Sequence, residues 1–117
     1  MNLEEVREHC LAKFGVEECL PFDEDTPVYK VGGKIFLLMS LDQPFSINIK
    51  CDPEKAIDLR ERYDDIIPGW HMNKKHWNTV ILEGSLSAHL IKEMIDASYR
   101  LVILGLPKSQ QEKFNID

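Results

Sequence analysis

The chain has 117 residues, 44% of them hydrophobic and 29% charged, with a formal net charge of −6. That length and apolar content suit one folded domain and exclude a disordered chain. The acidic balance excludes attraction of nucleic acid over the whole surface and leaves only a local basic patch for that role.

Leu3, Val6, Cys10, Leu11 and Phe14 recur at three- and four-residue steps, which predicts a helix over 2–14 with one apolar stripe. Glu4, Glu5 and Glu8 lie early, where the helix dipole favours acids, and Gly15 is a natural stop. Residues 17–27, EECLPFDEDTP, read as a solvated acidic connection, since the alternating ligands of a calcium loop are absent. VYKV (28–31), Gly32-Gly33 and KIFLLMS (34–40) then predict a β-hairpin on a two-glycine turn. In FSINIKC (45–51), Phe45, Ile47, Ile49 and Cys51 alternate with polar residues, as a half-buried strand requires.

Asp52-Pro53-Glu54 starts a second helix that runs to about Tyr63. Residues 66–82 return to extended structure, about two strands, ending in NTVIL (78–82). Ser85 or Ser87 caps a last helix over 87–105, apolar nearly all round at its end. Pro107 ends the domain (1–107), and 108–117 read as a loose tail. The order is α-β-β-β-α-β-β-α: an α+β fold with an antiparallel sheet of about five strands packed by helices on one face.

Three cysteines without a CxxC pair predict no disulfide framework, and Cys10 and Cys51 fall on apolar faces. The N-terminus lacks the basic start and apolar stretch of a signal peptide, and no apolar run nears ~20 residues, so a cytoplasmic protein without a membrane partner is expected.

The charge is unevenly spread. Residues 26–51 and 66–82 are each net +2, against −6 for residues 1–25. The run 66–80, IIPGWHMNKKHWNTV, holds both tryptophans, Trp70 and Trp77, with His71, His76, Lys74 and Lys75, and no acid. The two histidines are five apart, matching neither a helical nor a strand ligand pair, and lysines between them oppose a divalent ion, so no metal is expected. No nucleophile elbow, P-loop or Cys-His pair is present, so no catalytic residues, no cofactor and no enzyme are expected.

Two readings of the run remain. The tryptophans pack a core, each with its indole N–H bonded. Alternatively the lysines grip phosphates beside an aromatic stacking surface. In the second reading Lys30, Lys50, Lys74 and Lys75 hold phosphate, with Lys34 nearby, and Trp70 or Trp77 stacks if exposed. Strand parity alone does not say whether these lysines share a face.

PGWHMNKKHWNTV, LEGSL and DASYRLV, with the VYKVGGKIFLLMS hairpin and the FSINIKCDPE step, resemble the MmcQ/YjbR family across nearly the whole chain. The resemblance implies an α+β, CyaY-like fold, similar to the type III secretion chaperones, in small bacterial proteins often labelled DNA-binding. It brings forward His71, Asn73, Lys74, His76 and Trp77, with Lys30, as candidate site residues. The expected function is a non-enzymatic binding module, taking DNA weakly on a local basic face as a monomer or weak homodimer. The alternative is a protein-interaction or chaperone-like module. A small-ligand protein or enzyme would need a pocket beside His71 or His76.

Overall fold

The computed structural model describes residues 1–20, 26–69 and 72–114. Trp70, His71, the acids Asp23, Glu24 and Asp25, and residues 115–117 lie outside the described residues. The elements are α1 (Leu3–Leu11), β1 (Val16–Cys19), β2 (Val28–Val31), β3 (Lys34–Ser40), β4 (Ser46–Lys50), α2 (Pro53–Arg62), β5 (Ile66–Pro68), β6 (Trp77–Ile81), α3 (Ala88–Leu104) and α4 (Lys108–Gln111), followed by a 3-10 turn (Glu112–Phe114).

The fold is α+β. All strand pairs are antiparallel, in the order β1-β2-β3-β4-β6-β5. The starts of α1, α2 and α3 are capped as their residues dictate. The Asn2 side chain accepts from Glu5 N–H while Glu5 returns a bond to Asn2 N–H, and Asp52 and Ser87 accept from Lys55 and Leu90 N–H. Gly32 and Gly33 take φ of +60° and +80°, the mirror-image turn that a twisted hairpin needs.

Alternation along the strands splits the sheet into two faces. Tyr29, Val31, Met39, Ile47, Ile49 and Val80 point to the helix side, where they meet Val6 and Cys10 of α1, Ala56 and Leu59 of α2, and Ile91, Ile95 and Ile103 of α3. A smaller cluster of Val28, Leu38 and Trp77 forms on the other face, with Cys19, Ile35 and Met72 at its margin. Burial pushes the Cys10 thiol up to about 12, so it behaves as a small core residue.

A bulge breaks the β2–β3 ladder: Tyr29 opposes Leu37 but Lys30 opposes Ile35, so Phe36 is the extra residue. Phe36 turns to the helix side and meets Tyr99 of α3 edge-on, ring centroids 5.5 Å apart. Ser98, fully buried on α3, supplies the polar groups this region lacks. Its hydroxyl accepts from Lys50 N–H (2.8 Å) and donates to the Phe36 carbonyl (2.6 Å).

Two expectations are corrected. Among the described residues there are six strands, because β1 occupies part of the stretch read as an acidic connection. Its Glu18 is held by partners from other elements: it accepts from Arg7 Nε (2.8 Å), the larger influence, and from Tyr29 Oη (2.6 Å), and these hold its carboxyl below the usual range. Residues 108–114, read as loose, are helical and anchored. Gln111 Nε2 donates to the Leu106 carbonyl (2.7 Å), and Phe114 meets Phe14 edge-on at 5.7 Å.

α1 is tied to α3 through Asp96, whose carboxylate takes His9 Nε2 at 2.7 Å and Lys13 Nζ. Burial raises the Asp96 carboxyl, but the hydrogen bonds from Lys13 and His9 outweigh it and hold the carboxyl below its ordinary value. A depressed carboxyl adds stability above its unfolded pKa of roughly 3.9, and loses it as pH falls through the lower folded value. Asp96 is half-exposed, so Asp96→Asn is expected to cost only about 1 kcal/mol at pH 7. That cost should shrink in urea denaturation as pH falls below about 4. A cost that persists unchanged at pH 3 would mean the ion pairs are not its source.

Candidate nucleic-acid interface

The register brings the lysines of the strands to one end of the sheet. Lys50 lies opposite Trp77, and Ile49 opposite Leu37, so residues 35–36 of β3 come level with Lys50 and the residue after it. Lys30 of β2 faces Ile35 of β3, next to Lys34 at the hairpin. Lys30 shares strand parity with Val28, and Lys50 lies across from Trp77, so both lie on the face away from the helices. Lys74 and Lys75 immediately precede β6 at this same end, and both are exposed.

The loop before β6 is held by its own backbone. Asn73 Oδ1 accepts from Lys75 N–H (2.9 Å), and the Asn73 carbonyl accepts from His76 N–H (3.1 Å) and Trp77 N–H (3.0 Å). The His76 carbonyl accepts from Cys51 N–H (2.7 Å), which ties the loop to the end of β4. From α2, Arg60 donates through Nη1 to the Lys74 carbonyl (3.3 Å) and through Nε to the Ala56 carbonyl (3.2 Å). Asn73 therefore acts here as scaffold through its side chain and His76 through its backbone, while the side chains of Lys74 and Lys75 project into solvent.

Trp77 is not a stacking surface. At 9% exposure its ring packs with Val28 and Leu38 instead. The reason is position: β6 is paired on both edges, by β4 and β5, so a large ring on it covers the interior of the sheet. Of the two readings of this tryptophan, the structure supports packing.

Among the described residues, no carboxylate lies within ion-pair distance of Lys30, Lys34, Lys50, Lys74 or Lys75. Glu17 is the cross-strand neighbour of Lys30, which leaves Lys30 the most compensated of the group. Sequence reasoning missed Arg60, because it sits in an acidic helix (residues 52–65 are net −3) and only the folded chain carries it to the Lys74 loop. His71 lies outside the described residues, so the structure does not relate it to His76.

Among the described residues, the arrangement can hold anionic oxygens by charge. Comparison with known proteins gives a consistent family setting. The YjbR family model matches residues 11–101. The chain is 44% identical to the uncharacterised protein YbdF of Escherichia coli O157:H7, over 84% of this chain and 81% of that one. It is 33% identical to the uncharacterised protein YjbR of E. coli K12, over 96% of each. The crystal structure of Deinococcus radiodurans protein DR2400 superposes with a TM-score of 0.91 at 33% identity, covering 99% of this chain and 89% of that one. A Pseudomonas syringae protein superposes at 0.77 and 29% identity, covering 86% of this chain and 98% of that one.

Proposed function

The chain belongs to the YjbR family, and from that premise we propose that it is a non-enzymatic module that binds DNA weakly, by the phosphate backbone, on the basic end of its sheet. The observation that carries the reading is the convergence of Lys50, Lys74 and Lys75, with Lys30 beside them, at one sheet end of an otherwise acidic chain. Phosphate contacts give affinity without sequence information. Asn73 is spent on its own turn and Trp77 on packing, so neither is free to read a base edge or to stack. Binding is accordingly sequence-independent. Repulsion from the acidic remainder keeps it weak, in the roughly 10⁻⁴–10⁻⁶ M range of non-specific complexes. The three free cysteines fit a reducing compartment, which supports a cytoplasmic setting where nucleic acid is met.

Fluorescence anisotropy of a labelled 20-bp duplex, titrated at about 50 and 200 mM salt, tests this. Three to four phosphate contacts predict a log–log salt slope of about −3. Absence of binding at the lower salt, or affinity that ignores salt, overturns the reading and moves the search to protein partners.

A further inference from the structure

The face of the sheet away from the helices carries a recess of about 270 Å³ beside the cluster of Val28, Leu38 and Trp77. Leu38 and Ser40 of β3 and Ser46 and Asn48 of β4 line it, with Pro44 of the hairpin loop and Met72 of the loop before β6. The register puts these strand side chains on one face. Leu38 lies opposite Asn48, Ser40 opposite Ser46 and Asn48 opposite Thr79, and cross-strand partners point the same way. The core helices pack on the opposite face, yet Ser46 is only 2% exposed and Thr79 is fully buried. The polar row is therefore sunk below the surface and not spread over it.

Asn48 is left part-used by the fold. Its Oδ1 accepts from Thr79 Oγ1 at 2.7 Å. Its other amide atom has no partner among the described residues and, in a half-buried side chain, stays reachable from the recess. Either orientation of the amide spends one atom on the Thr79 hydroxyl and frees the other. Two residues beyond Val28, Asn48 and Met72 stand Lys30, Lys50 and Lys74. On β4 that step is about 7 Å along one face. Ring-sized walls thus lie next to the phosphate-holding charges, at about the separation of a base from its own phosphate. The recess is smaller than the roughly 300–1,000 Å³ of sites for drug-sized ligands, so it suits one ring system. Leu38 and the polarizable Met72 suit the face of a ring, and the Asn48 amide suits its edge.

We propose that this recess takes one unpaired base of single-stranded DNA, its ring against Leu38 and Met72 and its edge bonded to the Asn48 amide, with the adjoining phosphates on Lys50 and Lys74. The inference rests on the phosphate-binding reading, since the lysines are shared. A paired base has its edge occupied and must first leave its stack, so the recess separates unpaired from paired bases. It does not separate one base from another, because every base edge offers a partner to a single amide atom.

The test compares a labelled ten-nucleotide oligothymidine with an abasic strand of the same length in fluorescence anisotropy. The two carry the same phosphates, so counterion release cancels and only the bases differ. Oligothymidine should bind about fivefold or more tightly, the ratio for at least one hydrogen bond. Asn48→Leu combined with Thr79→Val removes both partners of the buried bond, a change that is close to neutral for folding. It should equalise the two strands and leave abasic affinity unchanged. Ser40→Phe, which fills the recess without touching the Asn48–Thr79 pair, should do the same. Equal affinity of the unmodified protein for both strands overturns the base site and leaves the phosphate reading standing. Binding of neither strand, nor of the 20-bp duplex, overturns both.

Discussion

Lys74→Glu combined with Lys75→Glu is expected to lower duplex affinity about 50-fold or more at roughly 0.1 M salt. At that salt each phosphate contact is worth roughly eightfold through counterion release, so two lost contacts account for most of the fall. Charge reversal adds repulsion to the loss. The log–log salt slope should become shallower by about 2. Both side chains are exposed and unpaired among the described residues, so thermal unfolding should move by no more than about 0.5 kcal/mol. Lys92→Glu on the exposed side of α3 makes the same kind of charge change on the helix side of the sheet, and it should cost less than about threefold. If it costs as much per charge as the loop reversals, net charge and not the sheet end governs binding.

The largest effect on stability is expected at Ser98. Ser98→Ala removes one hydroxyl but leaves two buried backbone groups unserved, the Lys50 N–H and the Phe36 carbonyl. Each orphaned group costs roughly 1–3 kcal/mol, so the variant should lose about 2–5 kcal/mol in chemical denaturation. These two groups would otherwise face each other across β3 and β4, next to the pair Leu37 and Ile49. The bulge at Phe36 separates them, and the helix hydroxyl bridges the gap. Lys50 is also one of the strand lysines at the basic end, so Ser98→Ala should weaken duplex binding modestly as well as stability. A loss under about 1 kcal/mol would mean that β3 closes back onto β4 without help.

Much of this architecture is readable along the chain because its signals are local. The capped helix at Asp52-Pro53, the Gly32-Gly33 hairpin and the alternating strand at 46–50 each follow from steric and hydrogen-bonding rules that act within a few residues. β1 was illegible for the opposite reason. Two adjacent glutamates are poor strand formers, and only Arg7 and Tyr29, remote in sequence, make Glu18 acceptable there. The short helix over 108–111 depends likewise on Gln111 reaching back to the end of α3.

The lysines of the candidate site were visible as residues but not as a site. Their gathering depends on which strands pair and in what register, a long-range property that charge counts cannot contain. Arg60 joins them only because α2 folds back over the loop that carries Lys74. Trp77 shows the same limit: an aromatic beside lysines reads equally as a stacking surface or as core. Its place on a strand paired on both edges made it core. The fold class, most of the elements and the basic composition of two segments are legible along the chain, because caps, turns and periodicity are written over short distances. Which charges meet and which ring is buried emerge only on folding, because those outcomes arise where distant segments exclude water together.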